Sequence, residues 1–223
     1  MTSTGTRTPL TRDRIIDAAV ALADELGVEE VSMRKLGAEL GVEAMSLYNH
    51  VENKDGIFDG MIDHVFESIP LPAAESDWRA TVRATALIAL DRFISHPWVV
   101  NLLMQRGNYG QSSLRFMDRT LGLLRSAGFS DEDTHHAWQM LASHTMGYAF
   151  QQVSGGYDDK EWDNVVPSQA ELAEFFPHVA ALAPYLAECE AGAEFAFGLD
   201  IIISGLQARL DAVTPGGSQP PGL

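Results

Sequence analysis

Cysteine is almost absent: Cys189 is the single one in 223 residues, which excludes an internal disulfide and any multi-cysteine zinc site. It is read as a small buried apolar residue. No apolar run approaches the roughly 20 residues that cross a bilayer, and the N-terminal MTSTGTRTPLTR leads into an amphipathic helix with no apolar signal region. The expectation is a cytoplasmic protein with no membrane partner. Basic residues are scarce too, 15 Lys and Arg against 31 Asp and Glu for a net charge of −16, which discourages indiscriminate coating of phosphate backbones and predicts few phosphate contacts. GxSxG, phosphate-binding loop, dinucleotide and HExxH patterns are missing, and with them the case for an enzyme, a cofactor or a metal. His135 and His136 are adjacent and point about 100° apart on a helix, which does not suit one ion. No alternating strand pattern is found; the class read from the sequence is all-α.

What the chain does have is 46% hydrophobic residues, enough for a packed core, and an organised stretch from Val31 to Lys54, VSMRKLGAELGVEAMSLYNHVENK. Ser32 has the side chain of an N-cap, and Met33, Leu36 and Leu40 recur at helical spacing. Gly41 supplies the positive φ that a tight turn between crossed helices needs. On the second helix Val42 and Leu47 point inward, and Ala38 is small where the two helices approach. Ala44, Met45, Ser46, Tyr48, Asn49 and His50 are left facing solvent or DNA. The pattern is a helix-turn-helix. Its charge is placed rather than abundant: residues 1 to 54 hold Arg7, Arg12, Arg14, Arg34, Lys35 and Lys54 against nine acidic residues, a net of −3, which leaves −13 for the rest.

At these residues the chain resembles a known family. GVEAMSLYNHVENKDGIFDGM is similar to the recognition helix and following segment of the tetracycline-repressor (TetR) family of bacterial transcription regulators. RIIDAAVALADELGVEEVSMRKLGAELG matches its first two helices in spacing and at Gly27, Val31, Arg34, Leu36 and Gly41. The likeness covers roughly the first 65 residues, and HPWVVNLL, LRSAGFSDED and FAFGLDIIISGL resemble a common effector domain of that family. The resemblance implies that Arg34, Ala44, Met45 and Ser46 face bases while Tyr48, Asn49, His50 and Lys54 hold the backbone of double-stranded operator DNA. The chemistry agrees: Arg34 can pair bidentately with guanine, Ser46 donates or accepts, and Ala44 and Met45 suit thymine methyls. Tyr48, His50 and Lys54 can donate to phosphate. It also implies a homodimeric repressor released by a small-molecule effector. Gln151 and Gln152 stand where the tetracycline repressor's acidic metal-linked group would be expected, which directs the expectation away from tetracycline with magnesium.

Along the chain, a first helix from about Thr11 to Leu26 has an apolar face of Ile15, Ala18, Ala19, Leu22 and Leu26. Asn53 caps a fourth helix running to about Ser68, and Pro70 with Pro72 marks the boundary between a DNA-binding domain, 1–68, and an effector-binding and dimerisation domain, 69–213. Ser76 or Asp77 starts the next helix, Ser112 to Ala127 another, and Ser130 caps a long one to about Val153. Gly155 to Val166 reads as a loop. Ser168 opens a stretch broken near Pro177 and Pro184, Glu190 to Ala212 is the last helix, and 214–223 is a disordered tail. Phe93, His96, Trp98, Met104, Phe116, Met117, Trp138, Met140, His144 and Tyr148 are the expected lining of an effector cavity, which such a set suits as well as it suits solid core. The expected ligand is apolar or aromatic. Phe195, Leu199, Ile202 and Leu206 recur at helical spacing, and with Gly147, Gly198 and Gly205 they are the expected dimer interface. An effector-independent regulator and a helical protein-interaction module stay open as alternatives.

Overall fold

A computed structural model of the chain describes residues 9–71, 77–106, 110–154, 169–187 and 191–213. The expectations for Arg7, Ser76, the 155–166 loop, Ser168, Cys189 and the tail from Thr214 lie outside the described residues. Every regular element described is helical: α1 Arg12–Leu26, α2 Met33–Leu40, α3 Ala44–Leu47, α4 Lys54–Glu67, α5 Trp78–Ser95, α6 Pro97–Arg106, α7 Gln111–Ser126, α8 Asp131–Val153, α9 Gln169–Phe175, α10 Pro177–Ala187 and α11 Ala191–Val213, with a 3-10 turn at Val28–Glu30. Among the described residues no helix is long and apolar enough to cross a membrane.

Local chemistry starts these helices. Side-chain oxygens of Thr11, Ser32, Asn53 and Ser130 accept from the backbone amides of Arg14, Lys35, Gly56 and Asp133, at 3.2, 3.3, 2.9 and 3.1 Å. Each satisfies an amide that the first turn leaves bare, a contribution of about 1 kcal/mol. Asp77 does the same for the amide of Arg79 at 3.1 Å. Pro177 stands at the first position of α10, where no amide bond is forfeited. Pro184 does not break that helix as expected; it is exposed within α10, and its ring faces solvent.

The helices form two compact units, Met1–Leu71 with Asp91–Thr120, and Pro72–Leu90 with Leu121–Leu223. One cut falls beside the Pro70 and Pro72 pair, and residues 91–120 join the N-terminal helices. In the first unit α1 packs on α2, α4 and α6, and α2 on α3. Ile15, Val31, Leu36, Leu47, Ile57, Met61 and Val65 have no solvent exposure at all. Leu26, expected on the inner face of α1, is 52% exposed, because the buried stripe runs instead through Ile15, Ile16, Ala19, Val20 and Ala23. Trp98 Nε1 donates to Asp24 Oδ1 at 2.6 Å, and His96 Nδ1 lies 2.9 Å from the same oxygen, so the start of α6 is pinned to the end of α1.

A polar seam completes this unit. Asp55, Asp59, Asp63 and Glu67 repeat every fourth residue along α4, placing like charges side by side at about 0.2–0.5 kcal/mol per pair. Each has a partner from elsewhere. The Arg106 guanidinium donates to Asp55 at 2.7 Å and Asp59 at 3.1 Å. The Ser112 amide donates to Asp63 at 3.0 Å, and the Ser112 hydroxyl to Glu67 at 2.9 Å.

The turn between α2 and α3 depends on two glycines. Gly41 caps α2 at φ 65°, ψ 35°, the left-handed region. Gly37 is where the chains meet most closely: a Cβ there would stand 2.9 Å from the Val42 carbonyl oxygen and 3.1 Å from the Ala44 nitrogen. Ala38, expected to be the small residue of this approach, faces solvent. In the second unit α8 packs on α11, burying Ala137, Leu141, Thr145 and Ala149 on one side and Phe195, Leu199 and Leu206 on the other. Arg83 Nε donates to Asp200 at 2.8 Å, and Arg209 pairs with Asp133.

Two expectations follow. Gly37→Ala pushes a methyl into backbone that cannot swing away and should cost about 1–3 kcal/mol in urea unfolding, whereas Ala38→Ser should leave the midpoint unchanged. The hydrogen bond from Arg209, aided by that from Ser130, holds the Asp133 carboxyl below the ordinary carboxylate range. A group depressed in the folded state stabilises above its unfolded pKa and loses that contribution as pH falls through the folded one. Stability measured across the acid range should therefore fall less steeply in Asp133→Asn than in the wild type; identical slopes would contradict the linkage.

Candidate nucleic-acid interface

Helix α3 is four residues long, and the chain continues through tight turns from Tyr48 to His50, the His50 amide donating to the Leu47 carbonyl at 2.9 Å. Leu47 is fully buried and Val51 nearly so, which anchors the segment at both ends. On either side of Leu47, Met45 is 75% exposed and Tyr48 46%. Asn49 and His50 are exposed, and Ala44 and Ser46 half-buried. Arg34 lies exposed on α2 with no ion-pair partner among the described residues. Its neighbour Lys35, by contrast, is paired with Glu30. Lys54 opens α4 with Nζ 5.0 Å from the centroid of the Phe58 ring, a cation–π placement that steers its flexible stem. Before α1, Arg14 Nη1 donates to the Pro9 carbonyl at 2.6 Å and holds the arm that leads into the helix.

The surface that carries these groups can do one kind of chemistry well. Arg34 and Lys54 are cations, Tyr48, Asn49, His50 and Ser46 are neutral hydrogen-bonding groups, and Ala44 and Met45 present apolar tips. A helix that offers such a mixture from a buried anchor is suited to reading base edges while flanking groups hold phosphates. Among the described residues no group of three or more His, Cys, Asp or Glu could hold a metal ion.

The residues expected to line an effector cavity fall into groups with their own partners. Phe93 and Phe116 are buried in the first unit, both against Phe66 at centroid distances of 5.8 and 5.7 Å. His96 and Trp98 are bound to Asp24. Met104 is exposed and Met117 half-buried. In the second unit His144 stacks on Phe195 at 4.7 Å and 7°, its Nε2 3.0 Å from the Phe195 carbonyl oxygen, and Tyr148 packs on the same ring at 5.5 Å. Trp138 is half-buried and Met140 exposed.

For the expected dimer interface the structure brings a correction. Phe195, Leu199 and Leu206 are core residues of the second unit, with exposures of 0, 0 and 5%, and Ile202 is half-buried. Gly198 serves the same intramolecular packing, since a Cβ there would lie 2.6 Å from His144 Cε1. Gly147 and Gly205 are different: both are exposed with open space where a Cβ would stand. Beside Gly205 on α11 run Phe197, 70% exposed, and Ile201, 58% exposed; beside Gly147 on α8 run Met140 and Phe150, both exposed. Phe197 and Ile201 were missed because α11 is apolar nearly all round, so period alone does not choose between adjacent stripes; Phe150 was missed as well, and Met140 was expected in the effector cavity rather than here.

Arg106 was also missed. Its side chain is 18% exposed, and the hydrogen bond to Asp55, with the charge of Asp59, holds its pKa above the ordinary guanidinium value. The four-residue acidic repeat on α4 is the signal that could have prompted a search for its cation.

A helix-turn-helix with an outward recognition helix, followed by a larger helical body, defines a DNA-binding regulator rather than an enzyme. The comparisons agree. Residues 15–61 match the family model for bacterial regulatory proteins of the tetR family, and residues 71–210 the tetracyclin repressor-like C-terminal domain. The HTH-type transcriptional repressor DrrR1 of Streptomyces coeruleorubidus is 34% identical over 220 residues, covering 92% of this chain and 80% of that protein. The class A tetracycline repressor of transposon 1721 from Escherichia coli is 28% identical, covering 91% and 93%. Apo ActR from Streptomyces coelicolor superposes with a TM-score of 0.79 at 30% identity, covering 93% of this chain and 99% of that one. ActR has also been solved in complex with actinorhodin, at a TM-score of 0.77. The chain belongs to the TetR family of transcriptional regulators.

Proposed function

We propose that this regulator is a cytoplasmic homodimeric repressor that reads a two-fold operator and releases it when a small molecule binds in residues 69–213. Arg34, Ala44, Met45 and Ser46 meet base edges; Tyr48, Asn49, His50 and Lys54 hold the backbone. The observation that carries this reading is α3 itself, where one inward residue, Leu47, fixes a helix whose other side chains remain available. Two recognition helices about 34–36 Å apart fit successive major grooves. The effector is apolar or aromatic, in keeping with the aromatic stock of the second half of the chain, and the structure of ActR with actinorhodin supports a small-molecule effector. It acts by binding the DNA-incompetent spacing better, by about 1–3 kcal/mol for ordinary coupling. The dimer forms through the outward faces of α8 and α11, carrying Met140, Gly147 and Phe150 with Phe197, Ile201 and Gly205; the open space above both glycines supports a second copy's close approach.

A salt titration of binding to the DNA upstream of the protein's own gene, against a scrambled duplex, tests the regulator reading. Selective binding is expected, with Arg34→Ala weakening it by about 1–3 kcal/mol and Arg34→Ala with Tyr48→Phe abolishing selectivity while the thermal midpoint is unchanged. Actinorhodin serves as the first effector probe in the same assay. Equal, weak binding to both duplexes would instead favour an interaction module. Phe197→Glu should convert the dimer to folded monomers in analytical ultracentrifugation, with unaltered helical content; a dimer that survives would place the interface elsewhere.

A further inference from the structure

The start of α4 poses an electrostatic problem for any DNA-binding role. Lys54, a proposed phosphate contact, is followed at once by Asp55 and one turn later by Asp59. In a chain of net charge −16, whose first 54 residues are themselves at −3, a phosphate that approaches Lys54 also approaches two carboxylates. The compensating cation does not come from the helix-turn-helix. It comes from the last residue of α6: Arg106 Nη1 donates to Asp55 Oδ1 at 2.7 Å, and its Nη2 and Nε donate to Asp59 Oδ1 at 3.1 and 3.3 Å. A fork of this kind is directional as well as charged. The same guanidinium lies 5.7 Å from the centroid of Phe58, the ring over which Lys54 Nζ is held at 5.0 Å. One arginine therefore touches both carboxylates and the aromatic ring that positions the lysine.

We infer that Arg106 is a positioning residue for operator binding: without touching DNA, it neutralises Asp55 and Asp59 and fixes the Phe58 platform, so that Lys54 meets phosphate as a net cation. Without Arg106, Lys54 stands in the field of two bare carboxylates. The effect is local, because exposed charges more than a Debye length away, about 8 Å at physiological ionic strength, are largely screened. This inference rests on the DNA-binding reading proposed above.

The test measures operator affinity of the full chain across a salt series for wild type, Arg106→Ala, Arg106→Lys, Asp55→Asn, and Arg106→Ala combined with Asp55→Asn and Asp59→Asn. Arg106→Ala is expected to weaken binding on the order of tenfold, within the usual range of coupling between sites, with the slope of log affinity against log salt kept. The triple variant should recover most of the loss, since the carboxylates that Arg106 neutralised are gone. Arg106→Lys should fall between, retaining charge but not the fork. Asp55→Asn alone should tighten binding, and with its largely exposed side chain it gives a result even if Arg106→Ala folds poorly. A purely structural brace predicts the opposite pattern: no recovery in the triple variant, and weaker binding in Asp55→Asn. Either result overturns the inference, as does an unchanged affinity in Arg106→Ala. A salt slope reduced by about one in Arg106→Ala would make Arg106 a phosphate contact itself and would also overturn it. Wild-type protein that shows no operator preference fails the DNA reading as a whole; wild-type preference with Arg34→Ala weakened and Arg106→Ala unaffected fails only the present inference.

Discussion

Helix α4 has one face that must be dry. Ile57, Met61, Ile62 and Val65 are at most 1% exposed, and burying four such side chains contributes about 1.5–3 kcal/mol each. This fixes the rotation of α4 about its own axis, and the rest of the first unit inherits that choice. With the apolar face turned to α1, the acidic stripe has to lie where α6 and the start of α7 can reach it. Asn53, which caps α4, comes directly after the recognition segment, so the roll of α4 also sets where Val51 and Leu47 enter the core. A helix rotated by one residue would bury carboxylates and strand Arg106 together.

Electrostatics here work by allocation among few cations rather than by a basic surface. Of the cations in and next to the helix-turn-helix, Lys35 is committed to Glu30, Lys54 is guided by an aromatic ring, and Arg34 has no ion-pair partner among the described residues. Such an arrangement favours a small number of phosphate contacts with defined geometry over broad attraction. The second unit follows the same pattern, its long helices joined by single ion pairs, Arg83 with Asp200 and Arg209 with Asp133.

Much of the fold was legible because helix ends obey local rules. Ser32, Asn53 and Ser130 are caps by side-chain chemistry, and Gly41 is a turn because of its missing Cβ; none of this needs knowledge of a distant residue. The errors have a common origin in facing. Along α11 the stripe of Phe195, Leu199 and Leu206 and that of Phe197 and Ile201 are both apolar, and which one is inside depends on α8, some fifty residues earlier in the chain. Gly37 and Ala38 are both small neighbours, and only the path of α3 decides which of them is crowded. His96 and Trp98 read as aromatic lining, yet their partner Asp24 lies 72 and 74 residues away. The outward residues of the recognition segment could be named in advance because a single buried leucine leaves little choice about the remainder.

That economy at Leu47 has a consequence for how such a protein changes over generations. A four-residue helix held by one inward side chain separates the positions that determine folding from those that face outward. Ala44, Met45 and Ser46 can be replaced one at a time while the core around Leu36, Leu47 and Ile57 stays as it is. If these side chains read bases as proposed, a duplicated copy of the gene would drift toward a different DNA sequence through a series of fully folded intermediates. Gly37 would not share this freedom, and would be retained through every step.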